Sequence, residues 1–393
     1  MVSYLAFTGI MLALGIDIAL PAFDEIGPDI GLAEGSNRIS VIITVYFIGM
    51  GVGQLVWGPV SDAYGRQRAM LLGMALYVVA AFAAALAPSF GWMLAARLVW
   101  GIGAAAPAGL RPAIARDLFT GNRMARIMSM VMAIFMIGPI IAPLVGELIL
   151  LVAPWPGVFY FCVAAGAVQM FWTVRFGETL QPQHRRPLEF RTTAEAFRRV
   201  LSTRATVAYT LALTFSYGAF YIFLGSSQPI MDIIYGRADQ FAIAFGVAGI
   251  FMAGAFVVVN AIIERFGARA VSVTGMTIFV VLAIVQLLVT RLSDGVPPFG
   301  VWLGGLILIN MLAAPVGPSC FTLGLEPLGE LAGTASGVMG FLAFVLGSAL
   351  AAVFDAAIDT TVTPMAVAYL LYGVLTLVCL LLAEPRGARE VSR

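Results

Sequence analysis

Two ionisable residues stand where a chain this apolar has no ordinary use for them. Asp17 lies in "MLALGIDIALPAF" (11–23), inside an apolar run from about residue 2 to 23, and Arg97 opens "RLVWGIGAAA" (97–106) within another. A charge near the middle of a bilayer costs on the order of 2.5–3.5 kcal/mol on insertion scales, so such a residue has a task or a partner. Counted from the ends of their segments at about 1.5 Å per residue, both sit roughly 8–10 Å below the same membrane surface. An acid and a base at matched depth suggest a pair, direct or through water. Pairing favours the charged carboxylate and burial the neutral acid. An aspartate between these influences can gain and lose a proton as its surroundings change. Asp17 and Arg97 are therefore the expected proton-coupling residues, with a static ion pair as the plainer alternative.

The elements that must position them are membrane helices. Of 393 residues, 61% are hydrophobic and 11% charged, and the mean hydropathy is +0.98. Soluble domains carry about 25% charge, so this chain cannot cover a soluble surface. Its apolar runs are about 20 residues long, the length that crosses a bilayer as helix, and they lack the short alternation of a β-barrel. Twelve segments are expected near 3–23, 39–61, 69–88, 91–113, 125–150, 155–176, 205–229, 240–263, 270–290, 299–322, 331–354 and 363–383. The polar stretch 177–204 divides them six and six, and "TTAEAFRRVL" (192–201) can form an amphipathic helix on the membrane surface. This gives an N-terminal bundle over 1–176, a linker over 177–204 and a C-terminal bundle over 205–393. The fold class is all-α integral membrane, twelve transmembrane helices in two pseudo-symmetric six-helix bundles.

Charge sets orientation. A net charge of +1 gives no footing for nucleic acid. With the N-terminus in the cytoplasm, cytoplasmic segments hold seventeen arginines and outside loops only Arg38, Arg237 and Arg291. Both termini are thus expected inside. Cys162, Cys320 and Cys379 lie far apart in apolar runs and read as small packing residues. The halves also repeat: "SDAYGRQRAM" (61–70) aligns without gaps on "IERFGARAVS" (263–272), an offset of 202 residues. Paired six-helix repeats are the build of many secondary transporters.

At this point the chain resembles a known family. "GPVSDAYGRQRAML" (58–71) resembles the loop 2–3 signature G-x-L-A-D-R-x-G-R-K/R of the major facilitator superfamily. "RLVWGIGAAA" resembles its segment-four signature, "GPIIAPLVG" (138–146) its segment-five antiporter motif, and "GIDIALP" (15–21) the first helix of its drug:proton antiporters, particularly the bicyclomycin and chloramphenicol/florfenicol exporters. These motifs span the N-terminal half, and the twelve-segment pattern covers the chain. The resemblance implies a monomer in a bacterial inner membrane, taking a small-molecule substrate and protons, with the lipid bilayer as its only other partner and no cofactor or metal. Ala63 and Gln67 replace basic residues of the loop signature, which implies a gate loop held less tightly. Ala142 replaces a glycine of the segment-five pattern, and Gly9 stands where some relatives carry a second acid.

The loop between segments two and three also reads as a gate from its residues. Gly65 permits a tight turn, and Arg66 and Arg68 can pair with Asp117 at the end of segment four. By the resemblance, Asp62 meets the N-terminus of segment eleven near Leu331, where a helix dipole favours a carboxylate. In segment five, Pro139 and Pro143 relax the helix and Gly138 and Gly146 let it pack closely. The resemblance implies that this bend seals the cavity during antiport. Arg111, near the end of segment four, is expected to snorkel to the interface.

A cavity for apolar compounds needs apolar walls and a few polar groups. Candidates are Tyr46 and Gln54, Met132 and Met136, Tyr217, Phe220 and Tyr221 of "TFSYGAFYIF" (214–223), Asn310 and Phe344. The leading reading is a proton-coupled efflux transporter, a drug:H+ antiporter for small, largely apolar compounds of phenicol or bicyclomycin type. The alternative within transporters is an exporter of a metabolite or sugar. An integral membrane enzyme needs a catalytic constellation, and the single histidine, His184, lies in the polar linker. A channel would need a ring of charge or a filter-like repeat.

Overall fold

The computed structural model describes residues 2–33, 36–119, 138, 141–185 and 190–383. Its helices are α1 (Val2–Asp17), α2 (Phe23–Asp29), α3 (Val41–Tyr64), α4 (Arg66–Ala85), α5 (Phe90–Leu118), α6 (Ile141–Leu150), α7 (Pro156–Phe176), α8 (Phe190–Ser202), α9 (Arg204–Pro229), α10 (Phe241–Phe266), α11 (Ala268–Leu292), α12 (Phe299–Ala313), α13 (Val316–Leu325), α14 (Ala332–Asp355) and α15 (Thr363–Leu382). Among the described residues there is no strand. Among the described residues eleven spans are long and apolar enough to cross a membrane, and α6 is a shorter apolar helix in the segment expected near 125–150. Large apolar side chains such as Val79, Phe171, Ile243, Val257 and Leu292 stand exposed on these helices. Lipid is the solvent that suits them.

Two expected segments are not single helices. Segment one stops at Asp17, continues through a 3-10 turn at Leu20–Ala22, and resumes as α2. Pro21 has no N–H to give the Asp17 carbonyl, and its ring crowds that carbonyl, so the α-helical ladder ends there. Segment ten divides into α12 and α13 around Ala314 and Pro315 for the same reason.

The chain forms two compact units. The first comprises residues 1–189 and 224–250. Its centre is a tight seam of α3 and α5, where Trp57 Nε1 donates to the Ile102 carbonyl at 2.6 Å and Gly101 lies against the backbone of Tyr46 and Met50. Close backbone approach of this kind is how membrane helices gain packing without a hydrophobic driving force. Trp155 Nε1 donates to Asp29 at 2.6 Å, and Gln228 Nε2 donates to Asp24 at 2.9 Å, tying α2 to its surroundings.

The second unit comprises residues 190–223 and 251–393. Here α11 packs along α15, with Tyr369 edge-on to Phe279 at 6.1 Å. The amphipathic helix expected over 192–201 lies within α8. It buries Ala196 and Val200, sets Phe197 against Phe341 of α14, and leaves Arg191, Arg198 and Arg199 exposed. The three cysteines are buried and unpaired.

Candidate functional site

Asp17 is the last residue of α1 and is 2% exposed. Its position follows from the helix break. The final carbonyls of α1 lose their partners there, and a carboxylate stands at the negative end of the helix dipole, where negative charge is disfavoured. Oδ1 of Asp17 is buried with no hydrogen-bond partner. Discontinuous helices that expose backbone carbonyls beside an acid are recurrent ion-coupling sites in transporters.

Arg97, on α5, is 1% exposed. Its Nη1 donates to the Gly15 carbonyl at 2.7 Å, while Nε and Nη2 are buried without partners. The guanidinium centre lies 4.8 Å from the ring of Trp100, 4.9 Å from Phe159 and 5.9 Å from Tyr46. Cation–π contacts of this type contribute about 0.5–2 kcal/mol each, most when desolvated. Of the two forms of Asp17–Arg97 pairing expected from sequence, direct or through water, the direct contact is not made. Arg66, by contrast, forms ion pairs with Asp62 and Asp117. The Gly15 carbonyl and the aromatic rings hold the guanidinium instead. Tyr46 stands within electrostatic reach of both charges, its hydroxyl buried and unpartnered. A β-carbon at Gly15 would overlap that hydroxyl, so the glycine is what lets Tyr46 enter.

The segment-five motif packs against the same stretch of α1. A β-carbon at Gly146 would strike the Ile18 carbonyl, and one at Gly138 would meet the Ala13 side chain. The two glycines thus flank Asp17, Gly138 against α1 at Ala13 and Gly146 just past its end at Ile18. Pro143 is buried between them, and Pro139 lies outside the described residues.

At the other end of this unit, Gly65 joins α3 to α4 at φ +98°, a conformation L side chains rarely adopt. Arg66 is buried and gives Nε to Asp117 at 3.1 Å and Nη1 to Ser61 at 2.6 Å and to Asp62 at 2.5 Å. Asp62 keeps about half its side chain exposed, at 46%. Arg68 is exposed and takes no part in the Asp117 pair expected of it. Its direction on the helix points it away from the cluster that Arg66 fills. Gln67 gives its amide to the carbonyls of Thr173 and Val174, both at 3.3 Å, so the missing basic residue is replaced by a cap on the end of α7.

Sequence reasoning missed Glu178. Its carboxylate accepts from the backbone N–H groups of Arg66 (2.9 Å), Gln67 (3.4 Å), Thr179 (2.9 Å) and Leu180 (2.9 Å), capping α4 from outside that helix. Only its place beside Gly177, just past the end of α7, hinted at it. The rings around Arg97 were partly legible, since Trp100 follows at i+3 on the same helix face.

The cavity candidates separate. Tyr46 belongs to the Arg97 cluster, and Gln54 is half-buried beside Gly109 of α5. In the second unit Tyr217, Tyr221 and Phe344 form one aromatic group, with centroids 5.6, 5.6 and 6.3 Å apart, and Phe220 adjoins Tyr221 at 6.2 Å. Asn310 is buried and committed: it donates to Tyr369 at 2.8 Å and to the Leu306 carbonyl at 2.9 Å, so it joins α12 to α15 rather than offering a free amide. Met132 and Met136 lie outside the described residues. Arg111 is buried at 6% exposure within the protein rather than extended to an interface.

Residues 5–352 match the family described as Major Facilitator Superfamily. The chain is 31% identical to the Bacillus subtilis (strain 168) protein described as an uncharacterized MFS-type transporter, YdgK, over 92% of this chain and 89% of that one. It is 27% identical to the bicyclomycin resistance protein homolog of Haemophilus influenzae, over 89% and 87%. The crystal structure of a D-xylose–proton symporter superposes with a TM-score of 0.78 at 14% identity, over 97% of this chain and 96% of that one, a likeness of fold alone.

Proposed function

Because the chain belongs to the Major Facilitator Superfamily, we propose that it is a proton-coupled exporter of small, largely apolar compounds, of the bicyclomycin or phenicol type. It works as two bundles, 1–176 and 205–393, joined by 177–204, as a monomer in a bacterial inner membrane with both termini cytoplasmic. It converts no substrate chemically. The name of the Haemophilus relative supports the substrate class.

The observation that carries the reading is the buried Asp17 carboxyl at the break in α1, with an unpartnered oxygen, one helix away from a buried arginine. Arg97 is the fixed charge and Asp17 the variable one. When the carboxyl faces the proton-rich side it takes a proton, and a neutral acid is then cheap to enclose. When it faces the cytoplasm it releases that proton, and the restored carboxylate permits the next substrate to bind. A proton entering down 100 mV brings about 2.3 kcal/mol from the potential alone. The close contact of Gly138 and Gly146 with α1 keeps water from reaching Asp17 along that side. The Arg66 cluster orders the cytoplasmic gate, with Asp62 half exposed at its edge.

A resistance panel in a pump-deficient bacterium tests the reading. Wild-type protein should raise the inhibitory concentration of chloramphenicol or bicyclomycin, and Asp17→Asn and Arg97→Ala, inserted at normal levels, should not. Undiminished resistance in both variants would reject it.

A further inference from the structure

The interface between α1 and α7 carries polar residues that a hydrophobic seam does not need. Tyr4 and Thr8 lie one turn apart on α1, and Gln169 and Thr173 one turn apart on α7, and all four are buried. The Tyr4 hydroxyl and Thr173 Oγ1 lie 3.1 Å apart, and Thr173 Oγ1 donates to the Gln169 carbonyl at 2.7 Å. Gln169 is 0% exposed; its amide interacts with the Tyr4 hydroxyl, but neither Nε2 nor Oε1 reaches full hydrogen-bond geometry with any protein group. Buried amides are almost always hydrogen-bonded, and in a polar site with room water supplies the missing bonds.

The polar seam continues toward Asp17. The Tyr77 hydroxyl donates to the Met11 carbonyl at 3.1 Å, and Cys162 Sγ donates to the Leu14 carbonyl at 3.8 Å. One residue on, Gly15 receives Arg97. Positions 4, 8, 11 and 15 share one face of α1. Neighbouring helices thus answer that face with hydroxyl, amide, thiol and guanidinium groups over about 17 Å of helix.

We propose that this seam is a hydrated proton path between Asp17 and the Tyr4 end of α1, with Gln169 as the residue that positions its central water. The inference rests on the proton-coupling reading of Asp17. A proton leaves the Asp17 carboxyl for an adjoining water. Each relay oxygen accepts one proton and passes one on, and a hydronium emerges beyond Tyr4. Asp17 is left as carboxylate, and nothing is oxidised or reduced. The relay oxygens are waters and the Tyr4 and Thr173 hydroxyls; Tyr77 and Cys162, whose hydrogens are held by the Met11 and Leu14 carbonyls, line the path, with Tyr46, Arg97 and Asp17 at its inner end. Arg97, a fixed cation at that end, repels the departing proton toward Tyr4. The path leaves the substrate cavity free during proton release. Gln169 acts through water and is a positioning residue.

The test needs no substrate. Infrared spectra of reconstituted protein after a pH jump report the Asp17 carboxyl band, identified by its loss in Asp17→Asn. In Gln169→Leu the band should reach its usual amplitude, but its rate should fall by about tenfold or more, as loss of one proton-transfer group does. Gln169→Glu, which keeps a polar group in place, should recover most of the rate. An unchanged rate in Gln169→Leu overturns the path alone, whereas a wild type without the band overturns the reading beneath it. If Gln169→Leu fails to fold, radiolytic water labelling of the wild type decides. Prompt oxidation of Tyr4, Met11 and Cys162 supports the path, and their full protection overturns it.

Discussion

The carbonyl of Gly15 receives Arg97 at 2.7 Å, two residues before Asp17 on the same helix, while the space beside Gly15 is filled by the Tyr46 hydroxyl. A backbone atom and a missing side chain therefore fix how a buried cation sits beside a buried acid. Gly15→Ala should push Tyr46 outward and destabilise the protein by about 1–3 kcal/mol, the usual cost of overpacking. Efflux should fall with it. Tyr46→Phe removes a buried, unpartnered hydroxyl and should be neutral or stabilising alone. Combined with Gly15→Ala it should recover part of the loss, a coupling that thermal unfolding in detergent can measure.

Arg97→Lys keeps the charge and loses the plane. The ammonium can take the Gly15 carbonyl or the aromatic faces, but not both in the guanidinium geometry. We expect a stability loss of about 1–3 kcal/mol from the weakened charged hydrogen bond and cation–π contacts. Drug efflux should drop to near background while membrane insertion stays normal. Full efflux would mean that charge alone suffices at this position.

Gly146→Val should abolish efflux. Its side chain would strike the Ile18 carbonyl, which cannot yield without moving the helix break that places Asp17. Gly138→Ala meets only the Ala13 side chain and should retain partial activity. Resistance assays with insertion checked by immunoblot distinguish the two.

Glu178→Ala should loosen the loop around Gly65. It removes an acceptor for four backbone N–H groups, and lost caps cost about 0.5–2 kcal/mol. Glu178→Gln keeps an acceptor oxygen and should cost less. Melting temperatures of purified protein check both.

Much of this was legible along the chain and some was not. Apolar runs and arginine placement are local, and they mark the helices. The Arg66–Asp117 contact was readable because each residue sits at a helix end beside turn signals. The break at Asp17 had its signal in Pro21, yet the unbroken apolar run concealed it. Other features depend on distant packing. Asn310 meets Tyr369 across 59 positions, and Glu178 caps Arg66 across 112. An apolar helix gives no periodic contrast to tell which face a neighbour covers, so these partners emerge only when the helices are assembled. The aromatic enclosure of Arg97 draws Tyr46 from α3, Trp100 from α5 and Phe159 from α7. It takes the place of direct contact with Asp17, one of the two forms of pairing that equal depth had suggested.

The most direct test of the central claim is proton release on substrate addition. Purified protein in weakly buffered detergent solution, equilibrated where Asp17 is protonated, should release a proton when chloramphenicol or bicyclomycin binds. Asp17→Asn should bind the compound and release none. Equal proton release from wild type and Asp17→Asn would contradict the assignment of Asp17 as the coupling acid.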